Sequence, residues 1–256
     1  MKVLFRSAVF LCLLTPIFLA QDPLKVAPQA YKLAFENEWV RVMRVHYGPR
    51  EKIPAHDHTQ QAAAYVYLND GGPVIFKHIG LDYGAVTRPA TKAGSFRIYK
   101  AIKEVHEVEN TSDLPSDFLR VEFKTRMVDE KTLRGRFYRE TWPADENSEK
   151  TQFEDEQIRV TRLVCAPGKK LDVPSSSTGP ALLVSFSTAR FDVVGQKGAA
   201  AKIELESGKT GWQAAGQRLL LESPGESPAE LLRIEFKTEP VKGGGGKAKA
   251  HDHPRD

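Results

Sequence analysis

The sequence predicts an all-β fold built from two similar domains. Short runs such as residues 39–45 and 118–123 alternate between apolar and other side chains, which is the period of two expected of strands. Glycine and proline residues separate these runs, and no amphipathic helix of four turns or more is evident. Many short strands at this spacing favour a β-sandwich or a β-barrel.

An internal repeat divides the body of the chain into two halves. Residues 35–42 (FENEWVRV) match residues 153–160 (FEDEQIRV) at an offset of 118 residues, which is 153 − 35. Residues 119–125 (LRVEFKT) match residues 232–238 (LRIEFKT) at an offset of 113, which is 232 − 119. Two matches in the same order at nearly the same offset indicate a duplicated β domain.

The repeat and the two chain ends together predict the domain organisation. The expected segments are a signal peptide at 1–20, a first domain at 27–126, a linker at 127–150, a second domain at 151–240 and a disordered tail at 241–256. The linker contains several aromatic residues, so we expect it to pack on a surface. The tail is rich in glycine, lysine and alanine and cannot bury a core.

Residues 1–20 have the layout of a secretory signal peptide. Lys2 and Arg6 precede an almost wholly apolar stretch that is too short to span a bilayer. Cleavage after Ala20 would remove these two basic residues and no acidic residue, so the formal net charge would fall from +4 to +2. We therefore expect an exported protein, periplasmic or secreted, with no membrane span.

Charge and cysteine content exclude several classes of function. The net charge is small and the basic residues are scattered among acidic ones, so we expect no binding to nucleic acid. Cys12 lies in the predicted signal peptide and leaves Cys165 alone, which predicts no intramolecular disulfide. The sequence contains no Ser-His-Asp order, phosphate-binding loop or paired carboxylates that would indicate another type of active site.

A His-x-His pair, His56 and His58, follows a strand-like run and Pro54. Alternate residues of an extended segment point to the same face, so both imidazoles are expected to project together and Asp57 away from them. Two neutral imidazoles side by side can grip a transition metal. The alternative is a pair of packed, hydrogen-bonded histidines. His251 and His253 repeat the motif in the tail, where no scaffold would fix a third ligand.

The first half resembles the cupin superfamily. Its order of strands, Pro-x-His-x-His, Asn-Asp-Gly-Gly turn, Gly94 and His106 to Asn110 is similar to the two cupin motifs. The resemblance implies two tandem cupin barrels, that is, jelly rolls or double-stranded β-helices. It also implies one divalent metal ion, iron, manganese or zinc, held by His56, His58 and His106.

Two departures from the cupin pattern affect the candidate site. The glutamate usual four or five residues after the second histidine is replaced by Ala62 and Ala63. Gln60, Gln61 and Glu104 are the nearby candidates for a replacement ligand or for an acid–base role. In the second half the 118-residue offset aligns His56 with Pro174, and the 113-residue offset aligns His106 with Leu219, so a degenerate second barrel is expected.

Three hypotheses about function follow from these residues. The first is a metal-dependent enzyme, an oxygenase or an isomerase of small molecules. The second is a non-catalytic module that binds a small ligand or a metal, and the third is a structural protein with a vestigial site. A small-molecule ligand or substrate is expected in the first two cases, and the protein is expected to be a monomer or a homodimer.

Overall fold

The computed structural model describes residues 21–82, 84–127, 134–177, 179–194 and 202–241. The predicted signal peptide and residues 242–256 of the predicted tail lie outside these ranges. Within them the chain forms one short helix, α1 (Pro23–Val26), and otherwise strands, so the predicted all-β class is confirmed. No helix in the described ranges has the length and apolar character that crossing a membrane requires.

Strands β1 to β10 come from the first half and the segment after it, and β11 to β19 from the second half. The first ten are β1 (Tyr31–Glu36), β2 (Val40–Tyr47), β3 (Lys52–Asp57), β4 (Ala63–Tyr67), β5 (Val74–His78), β6 (Ala85–Arg88), β7 (Phe96–Tyr99), β8 (Val105–Asn110), β9 (Ser116–Phe123) and β10 (Arg134–Phe137). The others are β11 (Ser148–Glu154), β12 (Ile158–Cys165), β13 (Lys170–Val173), β14 (Ala181–Ser185), β15 (Ala189–Val194), β16 (Lys202–Leu205), β17 (Thr210–Gln213), β18 (Arg218–Glu222) and β19 (Ala229–Phe236).

In the first half, two antiparallel sheets face each other. The larger sheet has the order β1-β2-β9-β4-β7-β10, and the smaller sheet has the order β3-β8-β5-β6. Met43 and Phe118 of the larger sheet share one buried core with Ile53 and Val108 of the smaller sheet. Apart from the consecutive pairs β1–β2 and β5–β6, neighbours in each sheet come from distant parts of the chain, as in a jelly-roll barrel.

The second half repeats this arrangement. Its sheets have the orders β11-β12-β19-β14-β17 and β13-β18-β15-β16. The irregularity in register between Leu33 and Phe35 recurs between Thr151 and Phe153 of the β11–β12 pair. The repeat seen in the sequence is therefore also a structural repeat, down to a local distortion of one strand.

The segment predicted as a linker contains regular structure. β10 pairs with β7 and so becomes the last strand of the larger sheet of the first half. Phe137 of β10 stacks on Phe96, with ring centroids 4.7 Å apart, and contacts Phe153 of the second half. Phe137 therefore packs as expected of the linker's aromatic residues, whereas Tyr138 is 64% exposed.

The two larger sheets pack against each other through their outer faces. Val40 and Val42 of β2 belong to one core that also contains Ile158 and Ile234 of the second half. Met43, the next residue of β2, points to the interior of its own barrel instead. The central strands of each larger sheet are therefore buried on both faces, because successive residues of a strand point to opposite faces.

The repeated LRxEF motif has charged side chains inside the barrel. Its apolar residues join the core between the two barrels, so the residues between them must face the barrel interior. In β9 the Nε of Arg120 lies 2.9 Å from Oε1 of Glu122, and in β19 the Nη1 of Arg233 lies 2.7 Å from Oε2 of Glu235. Each buried charge thus has a partner, which it needs because an unpaired buried charge is strongly destabilising.

A buried arginine joins the two halves. The guanidinium of Arg162 is fully buried and donates from Nη1 to Glu230 at 2.6 Å and from Nε to Gln152 at 2.8 Å. Its Nη2 donates to the backbone carbonyl of Gly94 in the first half, also at 2.6 Å. One side chain therefore satisfies acceptors on both barrels.

Replacing this side chain should weaken the whole molecule. We expect Arg162→Ala to lower the free energy of unfolding by about 3 kcal/mol, because the carbonyl of Gly94 would stay buried without a donor and Glu230 would keep only its exposed partner. Arg190→Ala, which removes an exposed ion pair with Glu204, should cost less than about 1 kcal/mol. Urea unfolding measures the free energy of unfolding of both variants. Equal and small losses in the two variants would contradict the conclusion that Arg162 joins the two barrels.

Candidate metal centre

Three histidines form a row across the smaller sheet of the first barrel. His56 of β3 is the direct partner of His106 of β8, and His78 of β5 is the partner of the same residue on its other side. Directly opposite residues of antiparallel strands share a face, so the three imidazoles lie side by side. His58, just beyond β3, completes the group.

A bulge in β3 turns the first of these histidines inward. Ile53 pairs with Val108 and His56 pairs with His106, so three steps along β3 match two steps along β8. Without the extra residue, Ile53 and His56 would point to opposite faces. The bulge lets both residues face the barrel interior, and the Pro54–Ala55 segment contains the irregularity.

His56, His58 and His106 lie close enough together to hold one ion. One nitrogen of each lies within 4.8 Å of the others, and all three residues are buried. The ring centroids are 4.8 Å apart for two of the three pairs and 5.1 Å apart for His58 and His106. The three residues that the sequence picked out are therefore neighbours in space.

These imidazoles are uncharged near neutral pH. Burial lowers the pKa of His56 to about 4, because the barrel interior disfavours the imidazolium. Burial also lowers the pKa values of His58 and His106 well below the usual value, and Arg120 and the neighbouring histidines lower them further. The neutral imidazole has the lone pair that a metal ion needs.

Three of these nitrogens have no hydrogen-bond partner among the residues that the structure describes. The Nδ1 of His58 and both ring nitrogens of His106 are buried and unpaired. Leaving a buried polar atom unpaired costs about 1–3 kcal/mol, so protein interiors seldom tolerate three of them together. A bound metal ion would satisfy one nitrogen of each ring, and the donor set therefore fits a divalent transition metal.

His56 is held by a chain of hydrogen bonds whose direction can be deduced. Its Nδ1 lies 2.9 Å from the carbonyl oxygen of Pro54, which can only accept, so Nδ1 has the proton. Its Nε2 must then accept from the hydroxyl of Tyr31, which lies 2.9 Å away. The Tyr31 oxygen in turn accepts from Tyr47 at 2.6 Å. The lone pair that a metal would use is therefore occupied by a phenol proton.

Glu104 and His78 extend the group on one side. The carboxylate of Glu104 lies 3.6 Å from Nε2 of His78 and 3.8 Å from Nδ1 of His106, and these three residues form a second group with metal-ligand spacing. The backbone carbonyl of Glu104 also accepts from the amide of His58. Of the residues that the sequence offered in place of the missing glutamate, Glu104 is the one beside the histidines.

A cavity separates the histidines from the larger sheet. On that sheet Arg120, Tyr65 and Arg97 are direct partners on β9, β4 and β7, and they form a second row opposite the histidines. The cavity is lined by aromatic and charged side chains. These are Tyr31, Tyr47, His58, Tyr65, Phe76, His78, Val86, Arg97, Tyr99, Glu104, His106, Phe118 and Arg120.

The other candidates from the sequence lie elsewhere. Gln60 is exposed and Gln61 is half-buried, and neither is among the described residues that line the cavity. His46, on β2, is exposed beside Asp117. Cys165 is fully buried.

Comparisons with known proteins identify the fold. No model of a known protein family matches the sequence, and no curated protein matches it either. Among solved structures, oxalate decarboxylase from Lactobacillus farciminis has a TM-score of 0.55 at 12% identity over 80% of this chain and 78% of that chain. A cupin 2 conserved barrel domain protein from Leptotrichia buccalis has a TM-score of 0.51 at 13% identity over 81% and 88%.

A third match is oxalate decarboxylase from Bacillus subtilis, described with Mn(II) centres, at a TM-score of 0.51 and 12% identity over 83% of this chain and 76% of that chain. The fold is that of a bicupin. Identities this low show the fold alone, and they confirm the cupin resemblance that the sequence predicted at that level.

The second barrel of this bicupin has apolar residues where the first has its histidine row. Val173, Leu219 and Val193 are direct partners on β13, β18 and β15. Leu219 replaces His106, as the sequence offset indicated. The alignment of His56 with Pro174 was wrong by one residue, because β13 pairs regularly with β18 and lacks the bulge of β3.

Sequence reasoning missed two residues of the site. Tyr31 lies in the first strand, 25 residues from His56, and nothing local in the sequence connects them. Arg97 lies on β7, and nothing in its local sequence singles it out. The comparison of the two barrels does, because β17 has Gly211 at the position that Arg97 occupies on β7.

Removing the Tyr31 hydroxyl should strengthen metal binding. In Tyr31→Phe, a metal ion that binds Nε2 of His56 does not have to break a hydrogen bond first. We therefore expect the affinity for zinc to rise about two- to tenfold, which corresponds to the free energy of one hydrogen bond. Competition with a chromogenic chelator measures the change. Tyr67→Phe removes a buried phenol elsewhere in the barrel and should leave the affinity unchanged. Weaker binding by Tyr31→Phe would show that the hydroxyl supports the metal instead.

Proposed function

We propose that this protein is an exported cupin-type metalloenzyme whose first barrel binds one divalent metal ion and acts on a small molecule. The observation that carries the proposal is the group of three buried, neutral imidazoles beside a cavity, two of which have nitrogens without a hydrogen-bond partner in the described part of the chain. The second barrel, with apolar residues in the equivalent row, would be a structural partner.

The ligand set narrows the chemistry. Three imidazoles suit iron, manganese and zinc, and a metal held on one side of a barrel keeps open positions for another molecule. Iron(II) would supply oxygenation of a bidentate ligand, and zinc or manganese would supply Lewis-acid activation of a carbonyl group. The Mn(II) centres described for the Bacillus subtilis oxalate decarboxylase make manganese a natural first choice to test.

The residues around the metal site have complementary tasks. His56 is oriented by Pro54, whose carbonyl fixes the ring through Nδ1. Glu104, the acidic residue among the described cavity-lining side chains, is placed to exchange a proton with a bound molecule and to orient His78. Tyr31 has a hydroxyl proton that becomes available to a bound molecule once His56 no longer accepts it.

A non-catalytic role in ligand capture is the second candidate. It is favoured by Ala62 and Ala63, which stand where the cupin pattern has its carboxylate ligand. A protein that binds metal in full but supports no oxygen uptake with thiols or diols, and no isomerisation, would belong to this class.

Metal analysis tests the site directly. We expect protein produced without an affinity tag to bind one equivalent of manganese, iron or zinc. His56→Ala and His106→Ala should each reduce this to below about a tenth of an equivalent, because a buried imidazole contributes a ligand bond that water in the vacated space cannot match. Inductively coupled plasma mass spectrometry provides the measurement.

Two controls make the result specific. His251→Ala with His253→Ala removes the second His-x-His of the sequence and should leave the stoichiometry unchanged. Circular dichroism should show that the variants of the site retain their β structure. Less than a tenth of an equivalent in the unsubstituted protein, after supplementation with all three metals, would rule out a metal-dependent function.

The overlapping group of His78, Glu104 and His106 requires its own test. If the metal lies on His56, His58 and His106, then His78→Ala and Glu104→Gln should both retain one equivalent, with affinity reduced by at most about 10- to 100-fold as for residues that contact ligands. If His56→Ala retained the metal and His78→Ala lost it, the metal site would instead consist of His78, Glu104 and His106.

A further inference from the structure

The interior of the first barrel contains more positive charge than its carboxylates balance. Arg88, Arg97 and Arg120 have guanidinium groups around or beneath the cavity. Arg120 forms an ion pair with Glu122, whereas neither of the other two forms an ion pair with any residue that the structure describes. Buried or half-buried arginines are normally paired, so the two unpaired groups require an explanation.

Arg97 faces the cavity from the larger sheet. Its guanidinium lies 4.7 Å from the ring centroid of Tyr65 and 5.2 Å from that of Tyr99, so two aromatic faces fix its orientation. Its Nε is buried and has no hydrogen-bond acceptor within the described ranges. A stacked guanidinium with free donors is prepared to bind an acceptor that comes from outside the chain.

Arg88 lies deeper, among the aromatic residues behind the cavity. It is only 3% exposed, and its guanidinium lies 5.2 Å from the ring centroid of Tyr67 and 5.3 Å from that of Phe118. Nη2 donates to Ser116 at 2.7 Å, but Nε is without an acceptor in the described part of the chain. Its charge therefore adds to the positive potential of a water-poor interior.

The second barrel provides an internal comparison for each arginine. Arg120 is retained there as Arg233, and so is its carboxylate partner, which indicates that this ion pair belongs to the scaffold. The strand registers place Gly211 at the position of Arg97 and Leu205 at the position of Arg88. The barrel that lost its histidines has therefore also lost both unpaired arginines.

We infer that the cavity of the first barrel binds a small organic carboxylate, with its carboxylate group on the guanidinium of Arg97. The planar guanidinium offers two parallel donors that match the two oxygens of a carboxylate. Arg88 supplies a second, buried positive charge, and the aromatic walls suit the hydrocarbon part of the molecule. The inference rests on the proposed function only for the metal ion expected on the histidine side.

The charge balance of the cavity supports an anion. Among the described residues in and behind the cavity, three arginines (Arg88, Arg97 and Arg120) stand against two carboxylates (Glu104 and Glu122), which leaves one positive charge in excess. A divalent metal ion would raise the excess of positive charge further. A neutral ligand would leave this charge uncompensated, and a cationic ligand would be repelled.

Calorimetric titration tests the inference with benzoate and acetate against the neutral benzamide and acetamide. We expect each carboxylate to bind zinc-loaded protein at least about tenfold more tightly than its amide, in line with a charge-assisted hydrogen bond. Arg97→Gln should remove most of this preference and leave the affinity for the amides unchanged. Arg97→Lys should retain part of it, because lysine keeps the charge without the paired donors.

Two matched measurements keep this result separate from the metal site. Arg218→Gln removes an exposed arginine of the second barrel and should leave carboxylate binding unchanged. The zinc content of Arg97→Gln should equal that of the unsubstituted protein. A different outcome is a protein that binds no stoichiometric zinc and still binds carboxylates in a way that depends on Arg97. That result would overturn the proposed metal function and leave the anion site standing.

Three results would overturn the anion site. One is full zinc loading with equal affinities for benzoate and benzamide. Another is an Arg97→Gln variant that binds benzoate as tightly as the unsubstituted protein does. The third is the absence of carboxylate binding to loaded protein up to about 10 mM, a concentration at which even a single weak charge-assisted contact would register.

Discussion

The packing of the two larger sheets against each other determines much of the remaining structure. Apolar residues at alternate positions of β2, β9, β12 and β19 face the other barrel. The positions between them must then face the interior of their own barrel, because a strand has only two faces. Charged residues of the repeated motif, such as Arg120 and Glu122, are in this way forced inside, where they are stable only as a pair. In the central strands, which are buried on both faces, such charged residues have little contact with water.

The candidate site makes the first barrel less stable than an apolar interior would. Where the second barrel buries Leu219, the first barrel buries His106, and neither ring nitrogen of His106 has a hydrogen-bond partner among the residues that the structure describes. Apolar side chains gain free energy on burial, whereas unpaired polar atoms lose it. The second barrel shows that the fold does not need the histidine row. Such local costs are typical of positions that are retained for binding or catalysis and not for folding.

Sequence reasoning succeeded where the signal was local or repeated. The strand alternation predicted the all-β class, the two duplicated motifs predicted the paired barrels, and the His-x-His spacing put His56 and His58 on one side. The contribution of His106 came from resemblance to cupins, and the structure brings it next to the other two. These features depend on residues that are close in the sequence or on patterns that occur twice.

The rest depended on strand register, which the sequence does not specify. A single extra residue in β3 decides that His56 is equivalent to Val173, and the alignment by sequence offset missed it. The same kind of non-local pairing puts Tyr31 on His56 and Arg97 opposite the histidines. A shift of one residue reverses which face a side chain occupies, so such contacts cannot be read from composition or spacing.

The core between the barrels also has an evolutionary consequence. A single ancestral domain of this kind would have exposed the outer face of its larger sheet, an apolar surface that a soluble monomer cannot leave bare. Two copies of such a domain could cover this face by forming a symmetric homodimer with two identical interiors. Joining the two copies in one chain makes the contact permanent and lets the two interiors differ, as the histidine row and its apolar equivalent do here. A contact that would be quaternary structure between two separate domains is tertiary structure in this chain.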